Sequence, residues 1–192
     1  MRIKDDQKRL AILKSATNLI VKNGLSSVTT AKVARAAGLV QSNLYIYFSS
    51  KEVLLATVFQ TTQEQLAGYL QQQLADVETP AEQLEIYMRA LYQYSIEHPE
   101  QVQLLQQFAV DPILQTLPVP IQQRQAVFNA PNDFLSAGIK AGVFRKTAAP
   151  ILQTMISTTL LTYARAVTAK QLDPVKVPLE QILTLLKAAV LI

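Results

Sequence analysis

Cysteine and tryptophan are absent from this 192-residue chain, and histidine occurs once, at His98. Without cysteine there is neither a disulfide framework nor a thiolate metal site. One histidine excludes the usual histidine-based metal clusters. The residue combinations of a catalytic centre are missing too: no Cys–His pair, no paired acids on one helix, and no glycine-rich phosphate loop. Nothing in the sequence calls for a cofactor or a metal, and the chain does not read as an enzyme. An apolar leader is also lacking, since Met1 leads straight into Arg2, Lys4, Asp5 and Asp6, so a cytoplasmic location is expected. Charge disappears for 18 residues between Lys146 and Arg165, a length at the lower bound for a membrane span. Pro150, Gln153 and the many hydroxyls in that run disfavour lipid, and no membrane partner is expected. No period of 20 to 50 residues repeats, which excludes a solenoid.

What is present is charge, unevenly placed. The chain carries a net +4, and its length allows one or two domains with a large core. Residues 1–51 hold nine basic side chains against Asp5 and Asp6, a net +7, while the remainder is near −3. A basic cluster is often only a solvated face. Here it coincides with a stretch whose pattern suggests a polyanionic partner.

That stretch is TTAKVARAAGLVQSNLYIYFSSKE, residues 29–52. Thr29 or Thr30 can cap a first helix, on which Val33, Ala34 and Ala37 form one apolar face. Gly38 falls where that helix must end, because glycine reaches a positive φ without steric cost. A second helix from about 40 to 47 carries Leu44 and Phe48 on one face, with Gln41, Ser42, Asn43 and Tyr45 pointing elsewhere. This is the plan of a helix-turn-helix, whose second helix enters the DNA major groove. Two short amphipathic helices joined at Ala-Gly also occur in proteins that never touch nucleic acid.

The details after the turn are more specific. VARAAGLVQSNLYIYFSSKEVLL resembles the DNA-binding domain of the tetracycline-repressor-like (TetR/AcrR) transcription regulators, through Val33-Ala34, Ala37-Gly38, Leu44-Tyr45, Tyr47-Phe48, Lys51-Glu52 and Leu54. The resemblance covers roughly residues 8 to 56. Val40 stands where a serine usually caps the recognition helix, and Ser42 where a glycine is common. Both departures bear on the operator rather than on the fold. On this footing Gln41, Ser42 and Asn43 offer donors and acceptors to base edges, and Val40 or Ile46 meets a thymine methyl. Thr30, Tyr45, Tyr47 and Lys51 hold phosphates and fix the register.

The rest of the chain reads as helices, so the expected fold is all-α. A polar arm over 1–6 precedes a helix from about 6 to 23, with Leu10, Ile12, Leu13, Ala16, Leu19 and Ile20 inward and Gly24 as its cap. A long helix starts at Ser50 and runs to about 75. Further helices are expected over 80–97, 99–110, 121–141 (interrupted at Pro131), 148–169 and 178–192, with a proline-rich loop over 111–120. The last two are apolar on most sides and are expected to be buried on most sides. An ordinary intrachain core explains this, and so does a four-helix interface between two copies. The resemblance also places dimerisation in the last two helices.

The domain division is therefore expected at 1–50 for the helix-turn-helix and 51–192 for ligand binding and dimerisation. Tyr87, Tyr94, Phe108, Phe128, Met155 and Tyr163 are candidates to line a cavity, though each alone is as well explained by core packing. Arg89, His98 and Arg165 are candidates to pair with a polar ligand group, with His98, beside Pro99, reading better as a helix-end residue. The implied function is a homodimeric repressor released from double-stranded operator DNA by a small hydrophobic ligand. The alternative is a helical interaction module or ligand-binding protein without operator-specific DNA binding.

Overall fold

The computed structural model describes residues 2–125 and 132–192. Among these the chain is helical, with only an isolated antiparallel bridge between Phe144 and Leu191. The helices are α1 (Arg2–Asn23), α2 (Thr30–Ala36), α3 (Gln41–Tyr47), α4 (Lys51–Leu74), α5 (Pro80–Glu97), α6 (Pro99–Val110), α7 (Ile121–Gln125), α8 (Asn132–Lys140), α9 (Ala149–Thr168) and α10 (Leu179–Val190). No described helix is long and apolar enough to cross a membrane.

The chain divides into two compact units that are not contiguous in sequence: Met1–Glu64 with Glu100–Arg124, and Gln65–Pro99 with Gln125–Ile192. In the first, α1 begins at Arg2, so residues 2–6 of the expected polar arm are helical. Ile12, Leu13, Ala16 and Ile20 form its buried stripe. Leu10, expected inward, is 62% exposed. It lies about 100° around the helix from the centre of that stripe, beyond the face that neighbours cover. Phe59 of α4 meets Phe108 of α6 with ring centroids 5.2 Å apart. The proline-rich stretch forms a short 3-10 turn over Pro112–Gln115. Its backbone is held by Arg124, which donates to the carbonyls of Val119 (2.8 Å), Gln115 (2.8 Å) and Leu117 (3.2 Å).

The second unit is built on α5, which packs along α9 and against α8. Thr79 caps α5, accepting from the Glu82 amide, and Pro80 follows at the first helical position, where its missing N–H costs nothing. Tyr87, Phe134 and Phe144 make a run of ring contacts at 5.8 and 6.3 Å. Of the helix expected over 121–141, α7 and α8 are the described parts. Pro131 lies outside the described residues.

The last two helices each bury one stripe only. Leu152, Ile156, Leu160 and Ala164 of α9 and Leu183, Leu186 and Val190 of α10 are inside. Thr154, Thr158, Thr162 and Arg165 on α9, and Leu185, Ala188 and Ala189 on α10, are exposed. The expected burial on most sides is thus not met within one chain. Threonine and alanine faces lack charge without needing to be covered. A charge network ties α10 to α5: Arg89 grips Glu180 through two bonds (2.6 and 2.8 Å) and Glu85 at 2.6 Å, and Lys187 reaches Glu85 at 2.8 Å.

Candidate nucleic-acid interface

The turn between α2 and α3 follows from two local facts. Gly38 adopts φ +70, a region L-residues avoid. The Leu39 amide then bonds back to the Ala34 carbonyl at 2.8 Å, which closes α2 and redirects the chain into α3. Thr29 caps α2, accepting from the Lys32 amide at 3.2 Å. Val40 gives α3 no side-chain cap, as its hydrocarbon side chain dictates. Packing holds α3 instead: Leu44 is fully buried and Phe48 nearly so, each worth roughly 1.5–3 kcal/mol of burial. The Arg9 guanidinium lies 5.5 Å over the Phe48 ring.

With Leu44 and Phe48 facing in, the opposite face of α3 faces out. Gln41, Ser42, Asn43, Tyr45 and Ile46 are all exposed, and so is Val40 just before them. Ile46 at 76% and Val40 at 64% are large apolar side chains left exposed, as are Val110 and Val175 elsewhere in the chain. Ser50 caps α4 by accepting from the Val53 amide at 3.2 Å, which leaves Lys51 half-buried in the first turn. Lys8, Arg9, Lys14, Lys22, Lys32 and Arg35 of the same unit are exposed. Lys32 donates to the Ser27 carbonyl at 2.9 Å.

Three of the expected phosphate contacts, Thr30, Tyr45 and Tyr47, have partners inside the protein. Thr30 is 9% exposed. Its hydroxyl accepts from the Gln41 amide at 2.9 Å and shares a bond with the Tyr45 hydroxyl at 3.3 Å. Tyr47 donates to the Asp5 carboxylate at 3.1 Å. Desolvation, then the bond and charge of Asp5, raise the Tyr47 phenol above its ordinary range. The sequence alone does not single out Asp5. Its place comes from a contact 42 residues away, which no local pattern reveals.

The candidate ligand residues are divided between the two units. Phe108 belongs to the first unit, packed on Phe59. Tyr87, Tyr94, Met155 and Tyr163 belong to the second, and Phe128 lies outside the described residues. Burial pushes the Tyr87 phenol far up and the Tyr94 phenol up to about 12, so both stay neutral hydroxyls. Tyr163 donates to the Val177 carbonyl at 2.7 Å. His98 is exposed at the end of α5, its ring 4.6 Å from that of Tyr94. The second unit also carries an open cleft of about 520 Å³ lined by Tyr69, Gln73, Ile86, Arg89, Tyr92 and Leu179. Of these the sequence points to Tyr69, as one of the aromatics that could line a cavity, and to Arg89. Arg89 is held there by Glu180 first and Glu85 next, which push its guanidinium up despite desolvation. Among the described residues no group of acids and histidine could hold a metal.

Comparison with known proteins gives this face a context. Residues 12–58 match the model for bacterial regulatory proteins of the tetR family. A fatty acid metabolism regulator protein of Bacillus subtilis (strain 168) is 27% identical over 77 residues, 40% of this chain and 40% of that protein. The chain thus aligns with less than half the length of that curated relative. Among solved structures, a TetR family transcription regulator from Marinobacter aquaeolei VT8 superposes with TM-score 0.85 at 22% identity, covering 100% of this chain and 99% of that one. A transcriptional regulator FadR from Bacillus subtilis in complex with stearoyl-CoA superposes with TM-score 0.74 at 19% identity, covering 94% and 98%. At these identities the likeness over the whole chain is one of fold.

Proposed function

We propose, from the match of residues 12–58 to the model for bacterial regulatory proteins of the tetR family, that this chain is a homodimeric, DNA-binding transcription repressor that leaves its operator when a small hydrophobic ligand binds. The reading assigns residues 1–50 to DNA contact and 51–192 to effector binding and dimerisation, in the cytoplasm. The observation that carries it is the exposed surface of α3 and the residue before it, where polar side chains fit for base edges and the uncovered Val40 and Ile46 lie within a basic stretch. In this reading Gln41, Ser42 and Asn43 read bases, Val40 and Ile46 meet thymine methyls, and Tyr45, Tyr47 and Lys51 hold phosphates.

Two copies would present two α3 helices to half-sites about one helical turn apart. The exposed, mostly uncharged faces of α9 and α10 support pairing there. The aromatic second unit suits an apolar effector, and the FadR structure with stearoyl-CoA offers one chemistry for it. The effector would act by binding better to a dimer whose heads do not fit the operator, and it shifts that equilibrium only by this difference in affinity.

The test is the double variant Tyr47→Ala, Lys51→Ala on operator selected from random DNA. Gel shift should show DNA affinity collapsing while the dimer and the melting temperature persist. Intact DNA binding in that variant would remove these residues from the interface.

A further inference from the structure

We infer that Thr30 is a positioning residue for base recognition, and that through it Gln41 is committed to adenine. This rests on the DNA-binding reading above but goes beyond it. Thr30 is the first residue of α2, and Gln41 the first of α3. The two sit on opposite sides of the turn and are joined by one bond: the Gln41 amide nitrogen donates to the Thr30 hydroxyl at 2.9 Å. The same hydroxyl meets the Tyr45 hydroxyl at 3.3 Å. Thr30 is buried, while Gln41 and Tyr45 are exposed. The bracket therefore has its fixed end inside the fold and its free ends at the surface.

The chemistry of the free ends follows by counting hydrogens. A glutamine amide has two N–H donors and one carbonyl acceptor. One N–H is held by Thr30, so one N–H and the carbonyl oxygen remain for a base. That donor–acceptor pair matches the adenine major-groove edge, which offers N7 as acceptor and the N6 amino group as donor. Guanine offers two acceptors there and would leave the carbonyl of Gln41 facing another oxygen. Thr30 has one proton. When it goes to the Tyr45 oxygen, the Tyr45 proton is free to point outward at a phosphate. A buried threonine thus sets the direction of both a base contact and a backbone contact while touching neither.

Thr30→Val keeps the shape and removes the hydroxyl. Thr30→Ser restores it. Preferred sites would be selected from random DNA for the wild type, both variants, Gln41→Ala and the Thr30→Val, Gln41→Ala double variant. Wild type should select adenine at one position of each half-site, a preference on the order of tenfold for a bidentate pair. Thr30→Val should lose it and Thr30→Ser should keep it. In the Gln41→Ala background, Thr30→Val should change base preference no further. Uniform weakening on every sequence by Thr30→Val, with adenine preference retained, would make Thr30 a direct phosphate contact and overturn the inference. A wild type that selects no sequence at all would overturn the DNA-binding reading as well, and the two failures are distinct.

Discussion

Asp5 shows how one carboxylate can set the strength of a phosphate contact. Its oxygen accepts a hydrogen bond from the Tyr47 hydroxyl at 3.1 Å, the donor that the proposed interface offers to DNA. A phosphate arriving at Tyr47 must displace that bond and come close to a like charge. At a few ångströms in water such repulsion changes affinity by roughly severalfold, and salt weakens it. Asp5→Asn is therefore expected to tighten DNA binding about threefold at low ionic strength and less at high, read by fluorescence anisotropy across a salt series. Equal affinities at low salt would show that Asp5 moves away at no cost. At this scale the sequence was informative about residue type and silent about partners. Asn43 and Ile46 were legible as outward because helical periodicity puts them opposite Leu44 and Phe48, whereas Gln41, three residues before Leu44, shares their side of the helix and its exposure was not. The bonds from Thr30 and Asp5 were not legible, because they depend on which helices meet.

Among the elements, α8 and the segment after it depend on a position without a side chain. A β-carbon on Gly138 would sit 2.3 Å from two atoms of the Phe144 ring, and that ring is fully buried. The Gly138 carbonyl also accepts from the Val143 and Phe144 amides, so the ring cannot shift without disturbing the turn. Gly138→Ala should cost about 1–3 kcal/mol through overpacking, seen as a lower denaturant midpoint, while Gly68→Ala, with open space around it, should not. An unchanged midpoint for Gly138→Ala would mean that the ring has somewhere to go. Helix limits were largely readable, since Thr79-Pro80, Gly38 and Ser50 are caps and breakers with a local mechanism. The ring under Gly138 was not, because nothing in the spacing of residues 138 and 144 announces a close approach. Nor was the α5–α10 charge network: Arg89 and Glu180 are 91 residues apart.

For the whole molecule, oligomeric state is the property to test. Leu185 is 62% exposed on the α10 face that also carries Ala188 and Ala189. If the proposed dimer forms through this face, Leu185→Glu should convert it to monomer by light scattering without loss of helical signal, and should weaken operator binding because each half-site is then bound alone. A dimer that survives would move the interface off this face. The fold class was visible from the start, in the unbroken helical periodicity and the near absence of strand signals. The division into two units was less so, because residues 100–124 join the first unit only after the chain has passed through the second, an arrangement set by packing. The charge split has a kinetic side. Net positive charge resides in the first 51 residues and net negative charge in the remaining 141, so in the proposed reading a duplex sorts orientations before any contact forms. Added salt should then slow arrival more than it hastens departure, and the search for a target becomes the step most exposed to the ionic state of the cell.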